Sequence, residues 1–91
     1  MIFEIIFSDK ANEDNKKLKK SEPQSYKKLA KLTRELSEHP YIGTGHPEPL
    51  RGDKSGLWSR RITNKHRLIY EVDEQQIIVI IHSTYGHYND K

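Results

Sequence analysis

Residues 57–83 read LWSRRITNKHRLIYEVDEQQIIVIIHS, and the fold turns on how this stretch is parsed. Three apolar and aromatic runs, at residues 57–63, 66–72 and 76–83, are split by Asn64-Lys65 and by a polar cluster from Asp73 to Gln75. Runs of that length bounded by turn residues specify three consecutive antiparallel strands. The third holds Ile77-Ile78-Val79-Ile80-Ile81 unbroken, so it is expected in the middle of the sheet. The first turn carries a fork. A two-residue hairpin at Asn64-Lys65 sets Ile62 opposite Arg67 and sends Arg61 to the other face, whereas a longer loop or a bulge brings both arginines to one face.

Upstream, MIFEIIF at residues 1–7 reads as a short strand buried on both faces. Ser8 is a good N-cap for a helix from about Asp9 to Lys20. That helix is polar almost all round, with Ala11, Leu18, Asn12 and Asn15 as its offer to a core, so it is expected to be thinly packed or waiting for a partner. Ser21-Glu22-Pro23-Gln24 combines capping-box spacing with an early proline and predicts a second helix. Tyr26, Leu29, Ala30, Leu32, Thr33 and Leu36 form its apolar stripe until His39-Pro40 stops it. From Tyr41 to Gly56 the chain holds four glycines, with Pro47 and Pro49 on either side of Glu48, which predicts a long functional loop without regular structure. Tyr85 to Tyr88 offers one more short edge strand. The sum is one α+β domain over residues 1–91, a helical hairpin on one face of a mostly antiparallel sheet.

Composition narrows the function. The 91 residues contain no cysteine, which removes disulfides, thiolate metal sites and cysteine nucleophiles. The opening apolar run is far too short to span a bilayer and has no basic leader, so a soluble, cytoplasmic protein without membrane attachment is expected. The net charge of +3 is unevenly spread. Residues 41–70 carry six Lys/Arg against two Asp/Glu, while residues 71–91 carry one against four. A positive excess of this kind favours phosphates through Coulomb attraction and counterion release, although a solvated basic face has the same composition.

Three kinds of chemistry can be weighed. The five histidines show neither HxH nor HExxH spacing, so no metal and no cofactor is expected, and no serine sits in a nucleophile elbow. Metal-free RNA cleavage needs a base for the 2′-hydroxyl, cations for the phosphorane charge and an acid for the departing 5′-oxygen. Glu48 is the base candidate, Arg67 and Arg61 the cations, His87 the acid, and Tyr88 a second donor or a ring for stacking. Each has a plainer reading: Glu48 paired with Arg51, Arg67 paired with Glu71, His87 a tolerated surface residue, and Trp58, His66 and His82 structural.

The run GTGHPEPLRGDKSGLWSRRITNKHRLIYEV at residues 43–72, with Gly86-His87-Tyr88, closely resembles the YoeB/Txe toxins of the RelE superfamily. The resemblance implies the RelE-like α+β fold and a metal-free endoribonuclease that cuts mRNA in the ribosomal A site, leaving 2′,3′-cyclic phosphate or 3′-phosphate ends. It implies a YefM-like antitoxin as partner, and leaves room for a homodimer. The family's PEPL glutamate falls on Glu48, its HRL arginine on Arg67 and its C-terminal His-Tyr pair on His87 and Tyr88. The second arginine of WSRR is Arg61, and Arg51 stands where the family has a lysine, keeping the charge for phosphate holding. Charge and pattern alone leave a nuclease and a passive RNA-binding module level; the resemblance favours the nuclease.

Overall fold

The computed structural model describes residues 1–86. Its elements are β1 (Glu4–Phe7), α1 (Asp9–Ser21), α2 (Pro23–Glu38), β2 (Glu48–Pro49), a 3₁₀ turn (Gly52–Lys54), β3 (Trp58–Arg61), β4 (Arg67–Asp73) and β5 (Ile78–Ser83). They build one five-stranded sheet in the order β1-β5-β4-β3-β2, parallel between β1 and β5 and antiparallel elsewhere.

The helical hairpin covers one face. Leu18 of α1 and Leu29, Leu32 and Leu36 of α2 pack on Phe3, Leu68, Tyr70, Val79 and Ile81, all buried. Period-two alternation explains the selection: Leu68 and Tyr70 point to the helices, so Arg67, Ile69 and Glu71 point away. The opening strand departs from expectation. β1 is an edge strand rather than a doubly buried one, with Phe3, Ile5 and Phe7 against the core and Ile6 39% exposed.

The polar first helix is packed through polar atoms as well as through Ala11 and Leu18. Ser8 Oγ caps it by accepting from the Ala11 amide at 3.0 Å and donates to the His82 carbonyl at 3.0 Å. Asp14 is buried and accepts from the Thr84 amide at 3.0 Å, and the Thr84 hydroxyl donates to Asn15 Oδ1 at 2.6 Å. Thr84 reaches α1 because the β4–β5 ladder slips by one residue between Ile69 and Tyr70, pairing Ile69 with Ser83 and Tyr70 with Ile81. That bulge turns the following residues over, so a strand end is stitched to α1 by hydrogen bonds, one of them to Asn15, and the helix is not waiting for a partner on that side.

Three boundaries also differ. Ser21 ends α1 and Glu22 is the N-cap of α2, without a side-chain cap bond, because its carboxylate is taken by the Ser25 hydroxyl at 3.2 Å and the His66 ring at 3.0 Å. Pro23 lies in the first turn, as predicted, and with Glu22 as the N-cap it takes the first helical position. The stretch after α2 is not wholly irregular, since Glu48–Pro49 forms β2 and Gly52–Lys54 a 3₁₀ turn. At the last turn, Asp73 Oδ1 accepts from the amides of Gln75 and Gln76, at 3.0 and 3.1 Å, and Ile77 is left in the turn at φ 58°. β5 therefore starts two residues later than the run at 76–83 suggests. It lies between β1 and β4, inside the sheet. The predicted strand at residues 85–88 is absent at Tyr85 and Gly86, which form a bend, and its remainder lies outside the described residues.

Candidate active site

Arg60 organises the approach to the site. Its side chain is fully buried, and Nη1 donates to Glu35 Oε1 at 2.9 Å and to the Thr44 carbonyl at 3.4 Å. Nη2 donates to the Ile42 carbonyl at 2.7 Å and to the His39 carbonyl, and Nε to the Tyr70 hydroxyl at 3.4 Å. Tyr70 in turn donates to the Pro40 carbonyl at 2.7 Å, and Glu35 accepts from the Thr44 amide and hydroxyl at 2.9 and 2.7 Å. The backbone from residue 39 to 44, rich in breakers and short of its own hydrogen bonds, is thus held by one guanidinium. The Thr44 hydroxyl, then its amide and the Arg60 charge, hold the Glu35 carboxyl below the usual carboxylate range. Aromatic contact adds to the anchorage, with the Tyr41 and Trp58 rings 5.0 Å apart.

The loop is delivered onto β3. Gly45 at φ +88° accepts from the Arg61 amide at 2.7 Å, and a Cβ there would lie 2.7 Å from the Arg61 carbonyl oxygen. Only glycine fits a left-handed backbone pressed so close to a neighbouring strand. His46 follows, also at positive φ (53°), and Pro47 then leads into β2.

Register brings the functional side chains together. Glu48 pairs with Ser59, Ser59 with Ile69, and Arg61 with Arg67, all on the sheet face away from the helices. The fork left open by the sequence is resolved by a bulge: the amides of Ile62 and Thr63 both donate to the His66 carbonyl, at 3.0 and 3.2 Å, so the hairpin gains a residue and Arg61 faces Arg67. Gly45, His46, Glu48, Ser59, Arg61 and Arg67 line a cleft of about 90 Å³. Arg67 is steadied by donation from Nη1 to the Thr63 carbonyl at 2.9 Å. The alternative pair with Glu71 does not form, as Glu71 accepts from His82 Nε2 at 2.7 Å instead. Among the described residues neither Glu48 nor Arg61 has an ion-pair partner, so the Glu48–Arg51 pair is absent too. Two guanidiniums directly across a ladder repel each other, and that repulsion makes the cleft attractive to an anion.

Arg51 is the N-cap of the 3₁₀ turn, exposed, and does not line the cleft. His87 and Tyr88 lie outside the described residues. Sequence reasoning missed His46 and Ser59 as cleft residues; the signal was available, since His46 stands two residues before Glu48 and Ser59 two before Arg61. Among the described residues no group of three His, Asp or Glu side chains is arranged to hold a metal ion. A larger hollow of about 520 Å³ between the helices and β1, lined by Phe7, Asn12, Asn15, Lys16, Lys19 and Tyr26, contains no carboxylate and no imidazole for proton transfer.

An α+β domain of this topology, with its cleft on the bare sheet face, has the RelE/YoeB-like toxin fold. The "YoeB/ParE toxin from Agrobacterium tumefaciens" superposes with a TM-score of 0.89 at 30% identity, covering 94% of this chain and all of that one. YoeB of Staphylococcus aureus, solved as a dimer and in complex with YefM, gives TM-scores of 0.84 and 0.81 at 34% identity over 97% of this chain and all of the other. In sequence, Toxin YoeB of Streptomyces coelicolor is 37% identical over 76 residues, which is 84% of this chain and 90% of the relative. Residues 7–88 match the family described as YoeB-like toxin of bacterial type II toxin-antitoxin system, and the chain belongs to that family. No helix among the described residues is long and apolar enough to cross a membrane.

Proposed function

We propose that this toxin is an endoribonuclease that cuts messenger RNA in the ribosomal A site without a metal or cofactor. The observation that carries the reading is the shared face of Glu48, Arg61 and Arg67 around one cleft, a carboxylate beside two guanidiniums. The Glu48 carboxylate takes the proton of a ribose 2′-hydroxyl, and the 2′-oxygen attacks the adjacent phosphorus. Arg67, with Arg61, holds the charge that builds on the non-bridging oxygens. The P–O5′ bond breaks as His87 gives its proton to the leaving oxygen, with Tyr88 as a second donor or stacking ring. The products are a 2′,3′-cyclic phosphate and a 5′-hydroxyl; water opens the cyclic ester to a 3′-phosphate. Arg51, outside the cleft, serves to hold a flanking phosphate.

The reaction belongs in the cytoplasm, where message and ribosome meet. A YefM-like antitoxin as the neutralising partner is supported by the S. aureus YoeB–YefM complex, and a homodimer by the S. aureus YoeB dimer. Induced expression followed by mapping of 5′ ends on cellular messages tests the reading. New ends within codons are expected from the wild type and not from Glu48→Ala; RNA binding without new ends from the wild type would leave only a passive binding module.

A further inference from the structure

His66 is buried, 3% exposed, in a chain whose other described histidines are more accessible. Both ring nitrogens are used. Nε2 faces Glu22 Oε2 at 3.0 Å, and Nδ1 lies 2.9 Å from the Gly86 amide nitrogen. An amide N–H can only donate, so Nδ1 accepts; Nε2 then carries the proton and donates to the carboxylate, which fixes a neutral imidazole in one tautomer. The His66 bond is the largest influence holding the Glu22 carboxyl below its ordinary range. The Gly86 carbonyl is gripped as well, accepting from the Arg67 amide at 2.9 Å. His66 and Arg67, adjacent in sequence, thus hold both backbone polar groups of one residue, Gly86, and the Tyr85 ring lies 4.5 Å from the His66 ring, with Lys17 Nζ 5.1 Å over the Tyr85 ring.

We infer that His66, oriented by Glu22, is a positioning residue that fixes the chain at Gly86 against Arg67 and so holds Arg67 in its place in the cleft. The inference rests on the ribonuclease reading. The link to the cleft runs through Arg67, whose amide holds the Gly86 carbonyl and whose side chain lines the cleft. Gly86 has φ +80°, a backbone state open to glycine, and its loss of conformational freedom needs this anchorage.

The two nitrogens can be tested apart in the full-length toxin. In His66→Asn the amide oxygen replaces Nδ1 and keeps an acceptor for Gly86 while the Glu22 bond is lost. In His66→Gln the amide nitrogen replaces Nε2 and keeps Glu22 while Gly86 loses its acceptor. With both variants assayed well below their melting temperatures, His66→Gln is expected to lower kcat by about tenfold or more with KM unchanged, and to speed hydrogen exchange at the Gly86 amide. His66→Asn is expected to keep Gly86 protection and more of the rate. Equal losses in both variants, or wild-type kcat and Gly86 protection in His66→Gln, would overturn the inference. A wild type that makes no cuts would instead overturn the ribonuclease reading, and Gly86 exchange in the two variants would still decide the anchor.

Discussion

Replacing Arg60 by Met removes the guanidinium and keeps most of the side-chain length. The variant leaves the carbonyls of His39, Ile42 and Thr44, the Tyr70 hydroxyl and the Glu35 carboxylate without their shared donor. Breaking a buried ion pair from one side costs about 3–5 kcal/mol, because the remaining partners are stranded. The Met side chain recovers some apolar burial, and Glu35, 26% exposed, can turn partly to water. A loss of about 3–4 kcal/mol remains, against a total of about 5–15 for a domain of this kind. At about 4–8 °C per kcal/mol the melting temperature falls by roughly 20 °C. Urea unfolding followed by circular dichroism measures the first quantity and a thermal scan the second. The cleavage rate at a temperature where both proteins are folded is expected to fall too, since the loop that carries Glu48 into place is released. A stability loss below about 1 kcal/mol would refute the idea that this guanidinium holds the loop, because the bonds would then be worth no more than exposed ones.

Other outcomes follow from the same geometry. Arg61→Thr is expected to leave stability unchanged or raise it by a few tenths of a kcal/mol by relieving the repulsion with Arg67, while cutting cleavage about 10²-fold; lower stability with full activity would reverse the assignment. Gly45→Ala is expected to destabilise by about 1–3 kcal/mol and to slow cleavage, since its Cβ meets the Arg61 carbonyl, and Gly52→Ala, with open space around it, by less; equal costs would remove the steric argument. Glu35 has a lowered folded-state pKa, so its contribution is fully present above the ordinary carboxylate range and is lost as pH falls through the folded value. Glu35→Gln is therefore expected to flatten the acid limb of stability measured by urea titration, and an unchanged limb would count against it. Cleavage is expected to persist in EDTA with ribosome integrity maintained; loss that zinc restores would overturn metal independence.

The parts of this protein that repeat were legible in its sequence. The leucine stripe of α2, the Ser8 cap and the strand–turn–strand rhythm after residue 57 are periodic signals, and the folded elements follow them within a residue or two. What escaped depends on partners far away in the chain. Asp14 looks like a solvated helix residue until Thr84, seventy positions on, is known to sit beside it. Arg60 reads as one more surface cation, and its buried state depends on five acceptors drawn from three separate segments. The common face of Arg61 and Arg67 hung on a single extra residue in a hairpin, which pattern alone leaves undecided. Glu48 and Arg67 were marked by motif; Ser59 and His46 stand at two-residue steps from Arg61 and Glu48, a spacing that gains meaning once β2, β3 and β4 are known to pair.

The central claim is that a ribose 2′-oxygen is the nucleophile, activated by Glu48 and attacking within the arginine-lined cleft. Ribosomes programmed with a message carrying one 2′-deoxynucleotide at the A-site cleavage position test it directly. The account predicts that the all-ribo message is cut to a 2′,3′-cyclic phosphate end and that the deoxy message stays intact, whereas cleavage of the deoxy message at the same bond would contradict it.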